Sequence, residues 1–427
     1  MILFYTGNKA RSVLCALFPR KRGLEAPAVA PTAAAEGPTT QLRFFTERPR
    51  SVRRSRVFFP ADKNRRRKRV RERFRTRPES ASEEDQEKRK MSTSSIGVLG
   101  AGTWGTALAR MLYNSGHEVC VWSVSREETE ELSALRRHRN LPGAEIPAGI
   151  TFTTDLEEVC KNRDVLLFAV PSVYVRSTAA AARPYISGTQ IIADAAKGLE
   201  AETLFTLSEV IRDELSRDGL HEGVRIAALS GPTHAEEVAL DLPTTIVSAC
   251  EDPDTARFVQ DVFSNTCMRV YTNGDIRGVE LCGAVKNIIA LAAGISEGLG
   301  YGDNTKAALI TRGLAEMKRL GTAMGCREQT FAGLAGMGDL IVTATSRHSR
   351  NNRCGFLIGR GYAPEEAVKQ VGMVVEGINA IPAALRLAEK YGVEMPITKA
   401  VGGIVSGSVK ASDAVSLLMS REKKTEL

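Results

Sequence analysis

The stretch Ile96-Gly97-Val98-Leu99-Gly100-Ala101-Gly102-Thr103-Trp104-Gly105 carries the first recognisable chemistry in the chain. An apolar run ends in G-A-G-x-x-G, and Ala107, Leu108, Met111 and Leu112 then recur at helical spacing. Strand, glycine turn and helix are the parts of a dinucleotide site. Gly100 permits the tight turn, Gly102 lets the backbone approach a pyrophosphate, and Gly105 lets the helix pack close to the strand. The free N–H groups at the helix start face the phosphates. The bland alternative is a glycine turn that only packs.

The choice of dinucleotide is read at the end of the next strand. Glu118-Val119-Cys120-Val121-Trp122 reads as that strand. In NAD-preferring units an Asp or Glu usually ends it and binds the ribose hydroxyls. Here the end is Ser123-Val124-Ser125-Arg126, with no carboxylate at the tip, although Glu127 and Glu128 follow. A hydroxyl-plus-Arg ending accommodates a 2′-phosphate. NAD and NADP both stay open, with NADPH use weakly favoured through Arg126; a solvated helix-start arginine is the alternative.

These groups need a scaffold, and the hydrophobic pattern supplies one. Val165 to Val170 is a continuous apolar run, as expected of a strand buried on both faces. Gln190–Ala195, Arg225–Leu229, Thr244–Ala249 and Met268–Tyr271 read as further strands, with helical segments such as Thr203 to Leu215 between most of them. The alternation predicts an α/β fold, a doubly wound Rossmann-type parallel sheet with ligands at the carboxyl ends of its strands. Lys197 and Thr233 stand just past such ends. From about Asp275 strand signals fade. Leu281, Val285, Ile288, Ile289, Ala292 and Ile295 form a helical stripe that encloses Lys286 and Asn287. An all-helical C-terminal domain is expected. The division is a leader at 1–90, a dinucleotide-binding domain at 91–279 and a helical substrate domain at 280–427.

Charge separates the leader from the rest. The 427 residues carry a net charge of +8, yet residues 1–90 hold 24 Lys and Arg against 10 Asp and Glu, and the remainder 34 against 40. The leader is therefore +14 and the remainder −6. Runs such as Arg65-Arg66-Arg67-Lys68-Arg69 lack a buried face, so disorder is the expectation. Three readings of the leader stand: an over-long gene start with the true one at Met91, an Arg-rich transit peptide, or a basic arm for an anionic surface. The eight cysteines form no C-x-x-C pair, which reads as buried thiols in a reducing compartment. The five histidines show no metal-ligand spacing, so no metal is expected. No stretch reads as long and apolar enough to span a bilayer.

Several separate motifs then become specific together. Leu229-Ser230-Gly231-Pro232-Thr233-His234-Ala235-Glu236-Glu237 is one, and Glu280-Leu281-Cys282-Gly283-Ala284-Val285-Lys286-Asn287 is another. Gly298-Leu299-Gly300-Tyr301-Gly302-Asp303-Asn304-Thr305-Lys306-Ala307, Gly333-Leu334-Ala335-Gly336-Met337-Gly338-Asp339-Leu340 and Ser349-Arg350-Asn351 follow in order. From about Ser95 onward the chain resembles the NAD(P)-dependent sn-glycerol-3-phosphate dehydrogenase family, in its bacterial-type form. Residues 1–90 lie outside the likeness.

The resemblance implies interconversion of sn-glycerol 3-phosphate and dihydroxyacetone phosphate, feeding phospholipid synthesis. By the same likeness Lys286 is the proton acceptor, and Lys197 touches substrate near the nicotinamide, with Asp339 beside both lysines. Gly231, Thr233 and Asn287 line the substrate site, and Ser349, Arg350 and Asn351 hold the substrate phosphate. Thr103, Trp104, Lys197, Ala235, Arg350, Val374 and Glu376 join the glycine turn as cofactor contacts. A homodimer, a cytoplasmic location, no membrane span and no nucleic-acid partner also follow. One position departs from the pattern. Val124 stands where bacterial members often carry Arg or His, and the adenosine-phosphate contact passes to Arg126.

The residue types suit that chemistry. Alcohol oxidation needs a base for the hydroxyl proton, and ketone reduction needs an acid to return it. A free lysine, with a pKa of about 10.4, is a poor base at neutral pH. Burial in an apolar stripe and a second cation, here Lys197, would lower that value, while Asp339 would orient the amine and limit the shift. Arg350 offers the planar fork that a phosphate needs. Each residue also has a plainer reading: a snorkelling Lys286, a helix-end Lys197, a helix cap at Asp339, a packed His234, and a solvated basic face at Arg347, Arg350 and Arg353. Two other functions stay open. One is a 3-hydroxy acid dehydrogenase of the 6-phosphogluconate-dehydrogenase-like group; the other is a cofactor-sensing or nucleic-acid-binding module that uses the basic leader.

Overall fold

The computed structural model describes residues 93–423 and Thr425, all within one compact unit. The readings offered for the leader, residues 1–90, lie outside the described residues.

Eight strands form one sheet: β1 Ser95–Leu99, β2 Glu118–Trp122, β3 Thr151–Thr153, β4 Val165–Phe168, β5 Ile191–Asp194, β6 Arg225–Ser230, β7 Thr244–Ala249 and β8 Met268–Asn273. Their order is β3-β2-β1-β4-β5-β6-β7-β8, and every neighbouring pair is parallel except β6 and β7. The winding reverses between β1 and β4, which is where such sheets open a ligand crevice. The apolar run 165–168 is explained by burial on both faces. Val165 and Leu167 join one core with Ile96, Val98 and Ala227. Leu166 and Phe168 join the core on the opposite face with Leu99 and Ile226. The two-residue period of a strand divides the run between these layers.

Local chemistry moves some boundaries. The helix expected from Thr203 begins at Leu207. Leu204 takes a φ of 67°, and Glu209 accepts a hydrogen bond from the Thr206 amide at 2.9 Å, fixing the start. β4 and β5 stop short of their apolar runs. β3 was not legible, because three residues of alternating Thr are too short a pattern.

The strands end at Asn273, and a 23-residue helix, Ile276–Gly298, follows. Asp275 starts it. One carboxylate oxygen accepts from the Gly278 amide at 3.0 Å, and the other accepts from the Arg327 amide and the Thr330 hydroxyl at 2.9 and 2.6 Å. A third core gathers around Leu281, Val285, Ile288 and Leu291. The expectation that no stretch is long and apolar enough to span a bilayer is corrected here, since this helix is both. Its apolar window is wholly buried, covered by neighbouring helices and by the strands β6 and β7. The helix Arg350–Gly359 lies closest. A Cβ on Gly294 would come within 2.1 Å of the Asn352 carbonyl oxygen, and one on Gly355 within 2.1 Å of that of Leu291. Backbone contact of this kind fixes where Arg350 stands relative to Lys286.

Candidate active site

The glycine turn follows β1 at the reversal point. Gly100 adopts a φ of 120°, and its amide donates to the Trp122 carbonyl at 3.0 Å, tying the turn to the end of β2. A Cβ on Gly105 would lie 1.9 Å from the Gly100 carbonyl oxygen, whereas one on Gly102 would meet nothing within 4 Å. The turn is therefore closed on its protein side and open on the other. The helix Thr103–Asn114 begins there without a side-chain cap, and Trp104 Nε1 is buried without a partner. Uncapped N–H groups at an open glycine turn fit the pyrophosphate of a dinucleotide. Ala235 starts the short helix Ala235–Val238 and packs, with Trp104, against the core under the turn.

A cluster of three charged side chains lies where the helical segment meets the sheet. Lys197 follows β5, and Asp194 at the strand end accepts from the Ala196 amide at 3.0 Å, shaping the turn. Lys197 Nζ donates to the Gly231 carbonyl at 3.0 Å, the Thr233 hydroxyl at 3.3 Å and Asp339 Oδ2 at 2.8 Å. Lys286, on the long helix, donates to Asp339 Oδ1 at 2.6 Å and to Thr343 Oγ1 at 2.7 Å. Asp339 opens the helix Asp339–Thr345 and is 1% exposed; Lys286 is 5% exposed. Each carboxylate oxygen thus holds one ammonium.

Burial costs the Lys286 ammonium its hydration and lowers its pKa from 10.5 to about 8; Asp339 opposes this, while Lys197 and Arg350 add to it. Burial works to raise the Asp339 pKa, but the two lysines outweigh it and hold the group below 3.8. The outcome is a fixed carboxylate beside an amine that changes charge near neutral pH. Such an amine can exchange a proton with a substrate hydroxyl.

The phosphate-binding candidates lie on the adjacent helix. Ser349 caps it by accepting from the Asn352 amide at 3.2 Å, and Arg350 is its first residue. Asn351 Nδ2 donates to Asn287 Oδ1 at 2.9 Å, Asn351 Oδ1 accepts from the Gly377 amide at 2.8 Å, and Asn287 Nδ2 donates to the Gly283 carbonyl at 3.0 Å. The two asparagine side chains therefore brace three helices, each keeping one N–H unused. Half-buried Val374 precedes the helix Glu376–Lys390. The Glu376 carboxylate accepts from the Ser172 amide at 3.0 Å and from its hydroxyl, beside the end of β4. Arg126 is exposed; its carbonyl accepts from the Thr129 hydroxyl at 2.8 Å, and its side chain forms no hydrogen bond or ion pair among the described residues.

Sequence reasoning missed Thr343 and Ser172. Thr343 stands one helical turn after Asp339 and donates to the Asp339 carbonyl at 2.6 Å, so the i, i+4 spacing was the available signal. Ser172 carried none beyond its place after an apolar run. His234 packs 5.8 Å from the His348 ring, and its Nε2 is buried without a partner. Burial, then Lys286, lowers its pKa, so it is neutral at neutral pH.

An open dinucleotide turn at the sheet's reversal point, together with a buried amine of lowered pKa, suits a nicotinamide-dependent dehydrogenase, and the chain falls in that class. Residues 95–256 match the family model for the NAD-dependent glycerol-3-phosphate dehydrogenase N-terminus, and residues 275–416 match that for its C-terminus. The chain belongs to that family. It is 65% identical over 334 residues to a glycerol-3-phosphate dehydrogenase [NAD(P)+] of Lactobacillus delbrueckii subsp. bulgaricus, covering 78% of this chain and 99% of that protein. A protein of the same name from Agathobacter rectalis is 52% identical over 334 residues, with 78% and 98% covered. The crystal structure of glycerol-3-phosphate dehydrogenase from Coxiella burnetii superposes with a TM-score of 0.73 at 38% identity, covering 77% of this chain and 99% of that one. Residues 1–90 fall outside the matched ranges.

Proposed function

We propose that this chain interconverts sn-glycerol 3-phosphate and dihydroxyacetone phosphate with NAD or NADP, and that it supplies glycerol 3-phosphate for phospholipid synthesis. The single observation that carries the residue roles is the bridging of Lys286 and Lys197 by the two oxygens of Asp339. The nicotinamide, when bound, takes or returns the hydride. The protein handles the proton and the charge. In oxidation, neutral Lys286 takes the substrate hydroxyl proton as carbon loses its hydride; in reduction, the ammonium returns that proton. Asp339 and Thr343 hold the amine in position. Lys197, fixed by Gly231, Thr233 and Asp339, places a positive charge beside the substrate oxygen. Arg350 at the helix start, with Ser349 and Asn351, receives the substrate phosphate. Residues 91–279 supply the glycine turn for the dinucleotide and, through Lys197, Gly231 and Thr233, part of the substrate site; residues 280–427 supply Lys286, Asp339 and the phosphate-binding helix.

The reading extends to a cytoplasmic homodimer. Seven described cysteines are free thiols, as in a reducing compartment. Leu417 and Met419 are exposed beside an apolar hollow between the helices Asp303–Ala323 and Ala411–Met419, which supports self-association. Sedimentation of the full chain checks the dimer. The reaction is tested by the initial rate of dihydroxyacetone phosphate reduction with NADH and with NADPH. Turnover with at least one supports it. Inactivity with both, alongside oxidation of a 3-hydroxy acid, would favour the 6-phosphogluconate-dehydrogenase-like alternative.

A further inference from the structure

NAD and NADP differ only at the 2′ position of the adenosine ribose, a hydroxyl in one and a phosphate in the other. In a doubly wound sheet that ribose lies past the end of β2, beside the glycine turn. The bond from the Gly100 amide to the Trp122 carbonyl joins those two places here. Ser123, the next residue, is buried, and its amide is held by the Thr153 carbonyl at 3.1 Å. Its hydroxyl donates to Glu128 Oε2 at 2.5 Å.

The backbone brings Glu128 to that point. Ser125 is the cap of the helix Arg126–Leu135 and accepts from the Glu128 amide at 3.1 Å. The Ser125 amide in turn donates to Ser123 Oγ at 3.2 Å. The chain so doubles back on itself, and the first helical turn lays a carboxylate over the strand tip. The Ser125 hydroxyl also donates to Glu127 at 2.8 Å, which holds a second carboxylate in the same turn. The charge of Arg126 acts on Glu127 within this turn, but Arg126 makes no ion pair with Glu128. Arg126 is exposed without an ion pair, and Val124, 84% exposed, presents only an isopropyl group.

We propose that Glu128 makes this protein discriminate for NAD and against NADP. Its carboxylate accepts a hydrogen bond from a ribose hydroxyl and repels a 2′-phosphate. The sign is opposite to the one suggested by the residue order Ser123 to Arg126, because the fold delivers a carboxylate that the linear sequence places beyond the strand. This deepens the dehydrogenase reading of the same site and rests on it.

The test is calorimetric titration of the full chain with NADH and with NADPH, for the wild type, Glu128→Gln and Val124→Arg, alongside initial rates of dihydroxyacetone phosphate reduction. Melting without ligand establishes that each variant is folded, and exposed Val124→Arg is the variant least at risk. Wild type binds NADH at least about tenfold tighter than NADPH, a difference of about 1.4 kcal/mol. Glu128→Gln weakens NADH and strengthens NADPH, so that the preference shrinks several-fold, and Val124→Arg strengthens NADPH. Equal or tighter NADPH binding by the wild type, or an unchanged ratio in folded Glu128→Gln, overturns the proposal. Failure of both dinucleotides to bind overturns it together with the dehydrogenase reading. Selective NADH binding without turnover of dihydroxyacetone phosphate upholds it and removes only the substrate assignment.

Discussion

Lys286 donates to Asp339 at 2.6 Å, and both side chains are almost wholly withdrawn from water. The partner is not exclusive, since the other Asp339 oxygen holds Lys197 at 2.8 Å. One negative charge therefore faces two positive ones. The burial of Lys286 and that imbalance leave its ammonium under-compensated, which is the physical source of its lowered pKa.

The pH dependence follows from the sign of that shift. With a pKa lowered to about 8, the amine is charged below pH 8 and neutral above it. Oxidation of sn-glycerol 3-phosphate, which needs the neutral amine, should gain kcat/KM as pH rises through about 8 and then level off. Reduction of dihydroxyacetone phosphate, which needs the ammonium, should decline over the same interval. Rate profiles in both directions check this. A midpoint near 10.5 in the oxidation profile would mean that Lys286 titrates as though exposed.

Asp339→Asn should act on stability and on that profile together. The carboxylate raises the Lys286 pKa, so its removal should move the midpoint of the oxidation profile to lower pH. It also leaves two poorly hydrated ammonium groups without their shared partner, and loss of one member of a buried pair costs about 3–5 kcal/mol. Denaturant unfolding and the pH profile measure the two effects. An unmoved midpoint would show that Asp339 does not act on the amine.

Arg350→Ala should act on binding. Loss of a charged hydrogen-bonding partner to phosphate costs roughly 1.5–3 kcal/mol, equivalent to a rise in KM for dihydroxyacetone phosphate of about 10- to 100-fold. Steady-state kinetics at saturating cofactor gives the number. An unchanged KM would place the phosphate elsewhere.

Much of this was legible because the sequence stated it locally. The run 165–168 announced a strand covered on both faces, and two separate cores do cover it. Lys286 stood out as a charge inside an apolar stripe. What stayed hidden depended on the path of the backbone. Thr343 joins the amine only because one helical turn returns it to Asp339. Ser172 matters because Glu376, distant in sequence, lands on it. Glu128 was read as lying beyond the strand tip, and a cap at Ser125 brings it back. The long helix shows the reverse problem. Its composition suits a membrane as well as a protein core, and only the helices and strands packed around it decide between them.

Kinetics of Lys286→Ala tests the role of this amine most directly. Lys197 still pairs with Asp339 in that variant, so the buried carboxylate keeps a counter-ion and the protein should fold. Loss of an acid–base group lowers the rate of proton transfer by roughly 10²–10⁴-fold. The expected result is a fall in kcat of that size for dihydroxyacetone phosphate reduction, with NADH still binding by calorimetry. A kcat close to that of the wild type would contradict Lys286 as the proton-transfer group.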